Sequence, residues 1–158
     1  MTPAVNLVKK KKIAHKIHEY IHDPANESYG AEAAEKMGVS ENRVFKTLVV
    51  SLDGNSLAVG VVPVSSMLNM KAIAKAAGAK KAVMADKAEV ERSTGYVLGG
   101  VSPLGQKRRL KTLIDQSAED YPTVYVSAGR RGLEIELPPC GLAQLTSGTF
   151  AQIAQSSD

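Results

Sequence analysis

The hydrophobic pattern of the chain alternates between segments typical of strands and segments typical of helices. Residues 44–52 and 57–64 are two largely apolar runs of strand length, and Asp-Gly-Asn at 53–55 between them is typical of a hairpin turn. From 13 to 21 a two-residue alternation predicts a strand that Asp23-Pro24 ends. Shorter patterns predict strands at 82–84, 112–114, 123–126, 133–137 and 150–153.

Helical segments are marked by their ends, since capping residues stand at their starts and glycine at two of their stops. Helices are predicted after Thr2-Pro3 and at 29–38, 69–78, 86–92 and 142–145. Because hairpins and helices are interspersed, the sequence predicts an α+β fold. We expect a single domain, residues 1–158, in which helices flank a mixed, barrel-like β-sheet.

Composition narrows the class of protein. Hydrophobic residues make up 44% of the 158 positions and charged residues 23%, which is typical of a folded globular domain and argues against disorder. Aromatic residues make up only 4% and there is no Trp. This scarcity argues against a large stacking surface for single-stranded nucleic acid.

The net charge is +4, a modest excess that suits salt-sensitive attraction to a polyanion without requiring it. The cations are unevenly placed. Lysines 9–12 form one block, which we interpret as a solvated helix end. A second group comprises Lys107, Arg108, Arg109, Lys111, Arg130 and Arg131.

A single cysteine, Cys140, excludes an internal disulfide and fits a reducing compartment. It has no evident base beside it, so we interpret it as a structural thiol. The first residues lack a basic region followed by a long apolar run, and no apolar run approaches the ~20 residues that span a bilayer. We expect a cytoplasmic protein with no membrane partner.

The segment 93–105 has the composition of a site made from backbone. It holds four glycines and a proline and runs into Gln106-Lys107-Arg108-Arg109. Glycine lets main chain approach a ligand closely, so the loop could present N–H groups to an oxygen atom. The segment is not a nucleotide-binding P-loop, because the lysine comes one position late and no Ser or Thr follows it.

Lys46 lies in a predicted strand where alternation places it on the face of Val44, Leu48 and Val50. A lysine in an apolar face costs free energy unless its ammonium has a partner. It could be a functional cation, a side chain that extends to the sheet edge, or half of an internal ion pair.

Three polar residues share a face of the first predicted strand, His18, Tyr20 and His22. The two histidines have the spacing of a zinc-binding helix, but the period favours a strand and no cysteine or second cluster completes a coordination shell. We expect no metal and no cofactor. Tyr20 is either a pocket phenol or an ordinary half-buried tyrosine.

Several short motifs, spread over nearly the whole chain, are specific in combination. They are Met1-Thr2-Pro3-Ala4, His22-Asp23-Pro24, Phe45-Lys46-Thr47-Leu48, Ala85-Asp86, Ser93-Thr94-Gly95-Tyr96, the loop 99–107, Tyr125-Val126-Ser127 and Arg131-Gly132-Leu133. With these motifs the chain resembles the YbaK-type proteins, free-standing aminoacyl-tRNA deacylases related to the editing domain inserted in bacterial prolyl-tRNA synthetases.

The resemblance implies an α+β fold with a barrel-like sheet, and hydrolysis of cysteine wrongly attached to proline tRNA. An apolar pocket separates cysteine from proline by only ~1–3 kcal/mol, so a second enzyme is needed. The resemblance also implies the site residues: catalytic Lys46, Gly99 and Gly100, and substrate-binding Tyr20, Ser102, Pro103, Ser127 and Glu134. The nucleophile in the family is thought to be the thiol of the substrate itself, which explains why no catalytic triad is evident.

The chain departs from the family pattern at the pocket floor. Glu134-Ile135-Glu136 stands where many relatives have Asp-Ile-Glu or Ser-Val-Glu, and Ala128 replaces a common glycine. Two alternatives stay open: the sister specificity for Ala-tRNA(Pro), and a non-catalytic tRNA- or nucleotide-binding module. Prolyl-tRNA synthetase is the expected protein partner, and we expect a monomer or a weak dimer.

Overall fold

The centre of the protein is an eight-stranded mixed sheet. The computed structural model describes residues 1–26 and 28–156. The α-helices in this part are α1 Pro3–Lys10, α2 Tyr29–Met37, α3 Met70–Ala77, α4 Lys87–Thr94 and α5 Pro139–Thr146. The strands are β1 Lys16–Glu19, β2 Val44–Leu52, β3 Ser56–Pro63, β4 Ser66–Leu68, β5 Ala82–Met84, β6 Lys111–Asp115, β7 Val124–Arg130, β8 Leu133–Leu137, β9 Thr149–Ala151 and β10 Ala154–Ser156.

Seven strands of the main sheet follow the order β1-β8-β7-β2-β3-β6-β9, and the eighth, β5, pairs with β2 off this path. The strands β10 and β4 form a separate pair. The β2–β3 and β7–β8 pairs are antiparallel hairpins, and β2–β7, β3–β6 and β6–β9 are parallel. The predicted α+β class with a mixed sheet is therefore confirmed. The predicted barrel shape needs a correction: within the described residues the hydrogen-bonded path does not close, and β1 and β9 are its ends.

The sheet has an opening beside β2. This strand is paired over its length with β3 on one side, but on the other side β7 reaches only residues 44–45 and β5 only residues 50–52. The described chain supplies no strand partner there for residues 46–48. The opening leaves one edge of β2 without a strand partner at these residues, and it determines where the site forms.

Helices cover both faces of the sheet and bury its apolar residues. The largest cluster includes Phe45, Val61 and Leu104, and a second cluster lies between β2, β3 and α3 around Ile73. The predicted glycine stops are confirmed, because Gly38 and Gly78 end α2 and α3 in the left-handed conformation at φ 69° and 79°. None of the helices in the described ranges has the length and apolar character needed to cross a bilayer.

Three predicted strands differ in extent, and the one predicted at 123–126 is longer, since β7 covers Val124–Arg130. The strand predicted at 13–21 is shorter, since β1 covers Lys16–Glu19. The strand predicted at 150–153 is split into β9 and β10, because the Asp115 carboxylate draws the main chain between them inward. Asp115 Oδ1 accepts hydrogen bonds from the N–H groups of Ile153 and Ala154 at 3.0 and 2.9 Å.

Candidate active site

A cleft of about 330 Å³ lies at the opening beside β2. Three segments meet there: the unpaired stretch of β2, the start of α2 and the glycine loop that follows α4. Its lining comprises Ser28, Tyr29, Gly30, Ala31, Glu41, Lys46, Thr47, Leu48, Val64, Leu98, Gly99 and Val101. The structure thus brings Lys46 and Gly99 into one cavity, although they are far apart in sequence.

Lys46 is half-buried in the wall of this cleft, and burial lowers the pKa of its ammonium. The alternative of an internal ion pair is not realised in the described part of the chain, where no carboxylate pairs with Lys46. Val44 and Val50, which strand alternation places on the side of Lys46, are buried, as are Phe45 and Val49 on the opposite side. Glu41 lines the same cleft but forms no ion pair with Lys46. A partly desolvated cation that is not paired in this way is a suitable site for an anion.

Thr47 contributes main chain to the cleft. The Val49 carbonyl accepts a hydrogen bond from Ala85 N–H at 3.0 Å, on the side of β2 that faces away from β3. Main-chain groups point to the same side of a strand at every second residue, so the N–H and C=O of Thr47 also point to this side. The Thr47 hydroxyl is buried with no hydrogen-bond partner among the described residues. The cleft is therefore lined by a main-chain donor that the sequence analysis did not identify.

The glycine loop faces Lys46 through Gly99, which has φ 93° and open space where a Cβ would stand. Gly100 plays a different part, because its N–H donates to the Val97 carbonyl at 3.0 Å. A Cβ on Gly100 would lie 3.0 Å from the Cα of Arg130. Gly100 thus lets the loop pack against the end of β7, and its own amide is already engaged.

Ser102 and Pro103, predicted to bind substrate, are buried and are not among the residues that line the cleft. The Ser102 hydroxyl accepts from Leu104 N–H at 3.1 Å, and its carbonyl accepts from Gln106 Nε2 at 2.9 Å. The Tyr96 hydroxyl donates to the Leu104 carbonyl at 2.6 Å. These bonds hold the loop in shape behind the cleft.

Glu134 is fully buried below the cleft. Tyr29, which lines the cleft, donates its hydroxyl to Glu134 Oε2, while Glu134 Oε1 has no partner among the described residues. Burial raises the pKa of Glu134 to about 7, and the Tyr29 hydrogen bond only partly opposes this effect. Tyr29 therefore connects the cleft to an acid that titrates near neutrality.

Tyr20 and Ser127 lie in the same region with unequal roles. The Tyr20 hydroxyl is buried without a partner in the described chain, and burial together with the Glu134 charge raises its pKa to about 12. The Ser127 hydroxyl donates to the Gly100 carbonyl at 3.3 Å and accepts from Gly129 N–H at 3.1 Å. In this geometry Ser127 ties the glycine loop to β7.

A second buried acid, Glu32 in α2, was missed by the sequence analysis. Its Oε1 accepts from His22 Nδ1 at 2.6 Å and its Oε2 from Asp23 N–H at 2.7 Å. Burial alone would raise the pKa of Glu32, but these hydrogen bonds and the nearby His22 and Arg131 lower it. The available signal was a glutamate beside Ala33 and Ala34 on the apolar side of a predicted helix.

The histidines and the cysteine have ordinary surroundings. His18 Nε2 pairs with Glu136 Oε1 at 2.8 Å and His22 pairs with Glu32, whereas His15 Nδ1 lies 2.6 Å from the Ile13 carbonyl oxygen. The described residues contain no group of three metal-ligating side chains. Cys140 is a free and exposed thiol that lies outside the lining of the cleft.

Comparison with known proteins supports one family. Residues 23–145 match the model of the aminoacyl-tRNA editing domain. EbsC of Enterococcus faecalis strain V583, a candidate Cys-tRNA(Pro)/Cys-tRNA(Cys) deacylase, is 38% identical over 153 residues, which cover 96% of this chain and 92% of EbsC. The uncharacterized protein YwhH of Bacillus subtilis strain 168 is 31% identical over 115 residues, 73% of each chain.

Solved structures agree with the fold. The hypothetical protein APE2540 superposes with a TM-score of 0.86 at 27% identity, covering 97% of this chain and 99% of that one. A candidate trans-editing enzyme for prolyl-tRNA synthetase gives a TM-score of 0.82 at 23% identity, covering 99% of both chains, a likeness of fold. With the family model matched over most of its length, the chain belongs to the aminoacyl-tRNA editing domain family.

Proposed function

We propose that this protein is a deacylase that removes cysteine from mischarged Cys-tRNA(Pro). The observation that carries the proposal is the placement of Lys46 opposite Gly99 in one cleft, at the opening of the sheet. Similarity to EbsC over nearly the whole chain supports the choice of cysteine as the amino acid.

In this proposal the cleft holds the aminoacyl ester at the 3′ end of the tRNA. The ammonium of Lys46 pairs with the adjacent phosphate or with the negative charge that develops on the ester oxygen. Partial burial strengthens this interaction, because a charge pair in a low-dielectric wall is less screened than one in water. Main chain at Gly99 and Thr47 supplies further donors, and Gly100 positions the loop.

The attacking atom belongs to the substrate. The cysteine thiolate attacks its own ester carbonyl, a C–S bond forms, the C–O bond to the ribose breaks, and the ribose oxygen takes up the proton that the thiol gave to solvent. The product is a cyclic thiolactone, which water then opens. The described lining of the cleft contains no cysteine or histidine, and its one carboxylate is Glu41. Attack by the substrate thiol requires no protein nucleophile. An intramolecular thiol held in the right pose can reach an effective molarity on the order of 10⁵ M.

We assign supporting roles to the remaining predicted site residues, which are Tyr20, Ser102, Pro103, Ser127 and Glu134. Glu134 and Tyr20 present buried polar atoms without partners below Tyr29, where they would meet the polar end of the amino acid. Ser127 and Ser102 hold the glycine loop through their hydrogen bonds, and Pro103 is buried with them.

The test is a panel of esters of proline tRNA offered to the purified protein under single-turnover conditions. We expect the cysteine ester to be cleaved much faster than the alanine, serine and proline esters. Faster cleavage of the alanine ester would move the protein to the sister specificity. Salt-sensitive tRNA binding with every ester left intact would identify a binding module and contradict the proposal.

A cleft of this size receives an aminoacyl end and cannot inspect the whole tRNA. We therefore propose that prolyl-tRNA synthetase, in the cytoplasm, supplies tRNA selectivity by associating with this protein. Co-purification of the two proteins in the presence of tRNA is the expected result. Absence of a complex at micromolar concentrations would refute this partnership and leave the deacylase proposal standing.

A further inference from the structure

We propose that a basic groove between the glycine loop and α1 binds the phosphodiester backbone of the RNA whose 3′ end enters the cleft. The proposal rests on the proposed function and adds the place where the acceptor arm lies. The groove measures about 160 Å³ and is lined by Leu7, Gly105, Gln106, Arg108, Arg109, Leu110, Leu145 and Thr146.

The groove and the cleft lie at the two ends of the same loop. Gly99 lines the cleft, and Gly105 lies against the first turn of α1, where a Cβ would come within 2.7 Å of the Pro3 carbonyl carbon. Backbone therefore touches backbone at Gly105, which fixes the loop on the helix. Residues 100–104 between them are buried, so an RNA strand that leaves the cleft would reach the groove by crossing over this buried stretch.

Arg108 and its neighbour Lys107, which lies outside the described lining of the groove, are displayed from a fixed main chain. Lys107 N–H donates to the Thr94 carbonyl at 2.9 Å, and Arg108 N–H donates to the Ser93 carbonyl at 3.0 Å, while both side chains are exposed. The Arg109 guanidinium donates to the Ser147 hydroxyl, which orients it without neutralising it. The described residues give the Arg108 side chain no hydrogen bond and no ion pair.

Acidic side chains are absent from the described lining of the groove. Arg108 also borders a second depression that contains Asp86 and Glu89, but these acids are engaged. Asp86 Oδ1 accepts from Glu89 N–H at 2.8 Å, and Glu89 pairs with Arg92 at 2.7 Å. Glu89 is thus paired with Arg92, whereas Asp86 keeps its negative charge because a main-chain N–H is a neutral donor. Arg108 therefore faces one acid on that side and none in the described lining of the groove.

The lysine block at the end of α1 extends this basic surface. Leu7 lines the groove, and Lys10 and Lys11 follow it by three and four residues, the spacing that places side chains on the same side of a helix. Lysines 9–12 are all exposed. The block interpreted from sequence as a solvated helix end thus follows the residue with which α1 lines the groove.

Phosphodiester backbone is the occupant that this chemistry fits. Guanidinium groups bind phosphate oxygens in a fork geometry, and cations on a rigid backbone contact successive phosphates without reading bases. The groove has no aromatic side chain for stacking in its described lining, so contact with phosphates is favoured over contact with unstacked bases.

The experiment compares the double variant Arg108→Gln/Arg109→Gln with Lys80→Gln/Lys81→Gln. The control removes the same formal charge from two exposed lysines, whose main-chain N–H groups are held by the Asp53 carboxylate beside the β2–β3 hairpin. Binding of uncharged proline tRNA is measured by fluorescence anisotropy over a range of salt, and cleavage is measured with Cys-tRNA(Pro) and with the cysteine ester of adenosine alone.

We expect the arginine variant to bind tRNA about tenfold more weakly and to lower the salt slope by about 1 to 2. Its cleavage of the adenosine ester should equal that of the wild type, and the lysine control should bind tRNA like the wild type. An equal loss of tRNA affinity in both variants, or no loss in the arginine variant, would overturn the proposal that the groove binds RNA. If the wild type cleaves neither ester, the deacylase proposal fails, while the anisotropy result still decides the groove.

Discussion

Two fully buried glutamates lie near the start of α2, Glu32 within the helix and Glu134 in contact with Tyr29, and their pKa values are shifted in opposite directions. Glu32 receives hydrogen bonds on both carboxylate oxygens, from His22 and from the main chain of Asp23, and its pKa is lowered. Glu134 receives one, from Tyr29, and its pKa is raised to about 7. Both side chains lack solvent exposure, and hydrogen bonds together with the nearby His22 and Arg131 lower the pKa of Glu32.

The difference distinguishes the network of Glu32, His22 and Asp23, which we call the stability region, from the surroundings of Glu134, where a ligand can bind. Native proteins pair nearly all of their buried polar groups, so a cluster of unpaired ones needs an explanation. In the described chain, the buried side-chain atoms without a partner are Tyr20 Oη, Thr47 Oγ1, Arg131 Nε and Nη2, and Glu134 Oε1. Thr47 lines the cleft and Tyr29 links Glu134 to it, so we infer that substrate supplies the missing partners.

The largest expected effect comes from Lys46→Met, which keeps the length of the side chain and removes the charge. We expect cleavage of Cys-tRNA(Pro) to fall by about a thousandfold, the scale seen when a stabilising group of a transition state is removed. Because burial lowers the pKa of Lys46, the charged form is disfavoured in the folded state. Thermal unfolding should therefore show no loss of stability, and near-normal turnover in a folded variant would refute the role of the cation.

The next effect concerns the stability region. Glu32→Ala leaves His22 and the Asp23 amide without their acceptor, so we expect a loss of about 3 kcal/mol in the free energy of unfolding. Glu35→Ala on the exposed side of the same helix is the matched control and should change stability little. Urea unfolding measures both. Equal effects of the two substitutions would show that the Glu32 network contributes nothing special.

Glu134→Gln tests the other side of the comparison through pH. The folded-state pKa of about 7 lies above the ordinary value of 4.5, so between these values the folded protein binds the proton that the unfolded chain has released. Wild-type stability should therefore decline as pH rises through this window, by up to a few kcal/mol, and stay low above it.

In the Gln variant this decline should be missing, because the amide does not titrate. Glu32, whose pKa is lowered, contributes stability of the opposite sign, present above its unfolded-state pKa and lost as pH falls through its folded-state pKa. Denaturant titrations at several pH values separate the two. A wild-type curve parallel to that of the Gln variant across the window would contradict the raised pKa.

The smallest effect on stability is expected for Tyr20→Phe. Removing a buried hydroxyl that has no partner in the described chain costs no hydrogen bond, so the free energy of unfolding should stay within about 0.5 kcal/mol or rise. If substrate supplies the partner, KM for the cysteine ester should rise severalfold with kcat less affected. A clear loss of stability with unchanged KM would place Tyr20 in the stability region.

The helices and hairpins were predictable from local signals. Glycine stops such as Gly38 and the cap at Asn69 are set by backbone conformation and one side chain, so they can be identified from neighbouring residues. Lys46 was also identifiable, because a lysine on an otherwise apolar face of a strand is unusual in any fold.

The shape of the cleft was not predictable in the same way. The opening beside β2 depends on where β7 and β5 stop pairing, which follows from long-range register and not from the sequence of β2 itself. Tyr29 and Thr47 enter the cleft only because of that opening. Ser102 and Pro103 show the converse, since a motif places them near the site and packing turns them away from the cleft.

The most direct test of the account measures single-turnover cleavage of Cys-tRNA(Pro) against the same tRNA carrying S-methylcysteine. The methyl group removes the nucleophile while the ester, the tRNA and the contacts with Lys46 and Gly99 stay in place. We predict that the S-methylcysteine ester is bound with similar affinity and survives at close to its uncatalysed rate. Cleavage of both esters at similar rates would show that water or a protein group attacks the carbonyl, and would contradict the substrate-thiol mechanism.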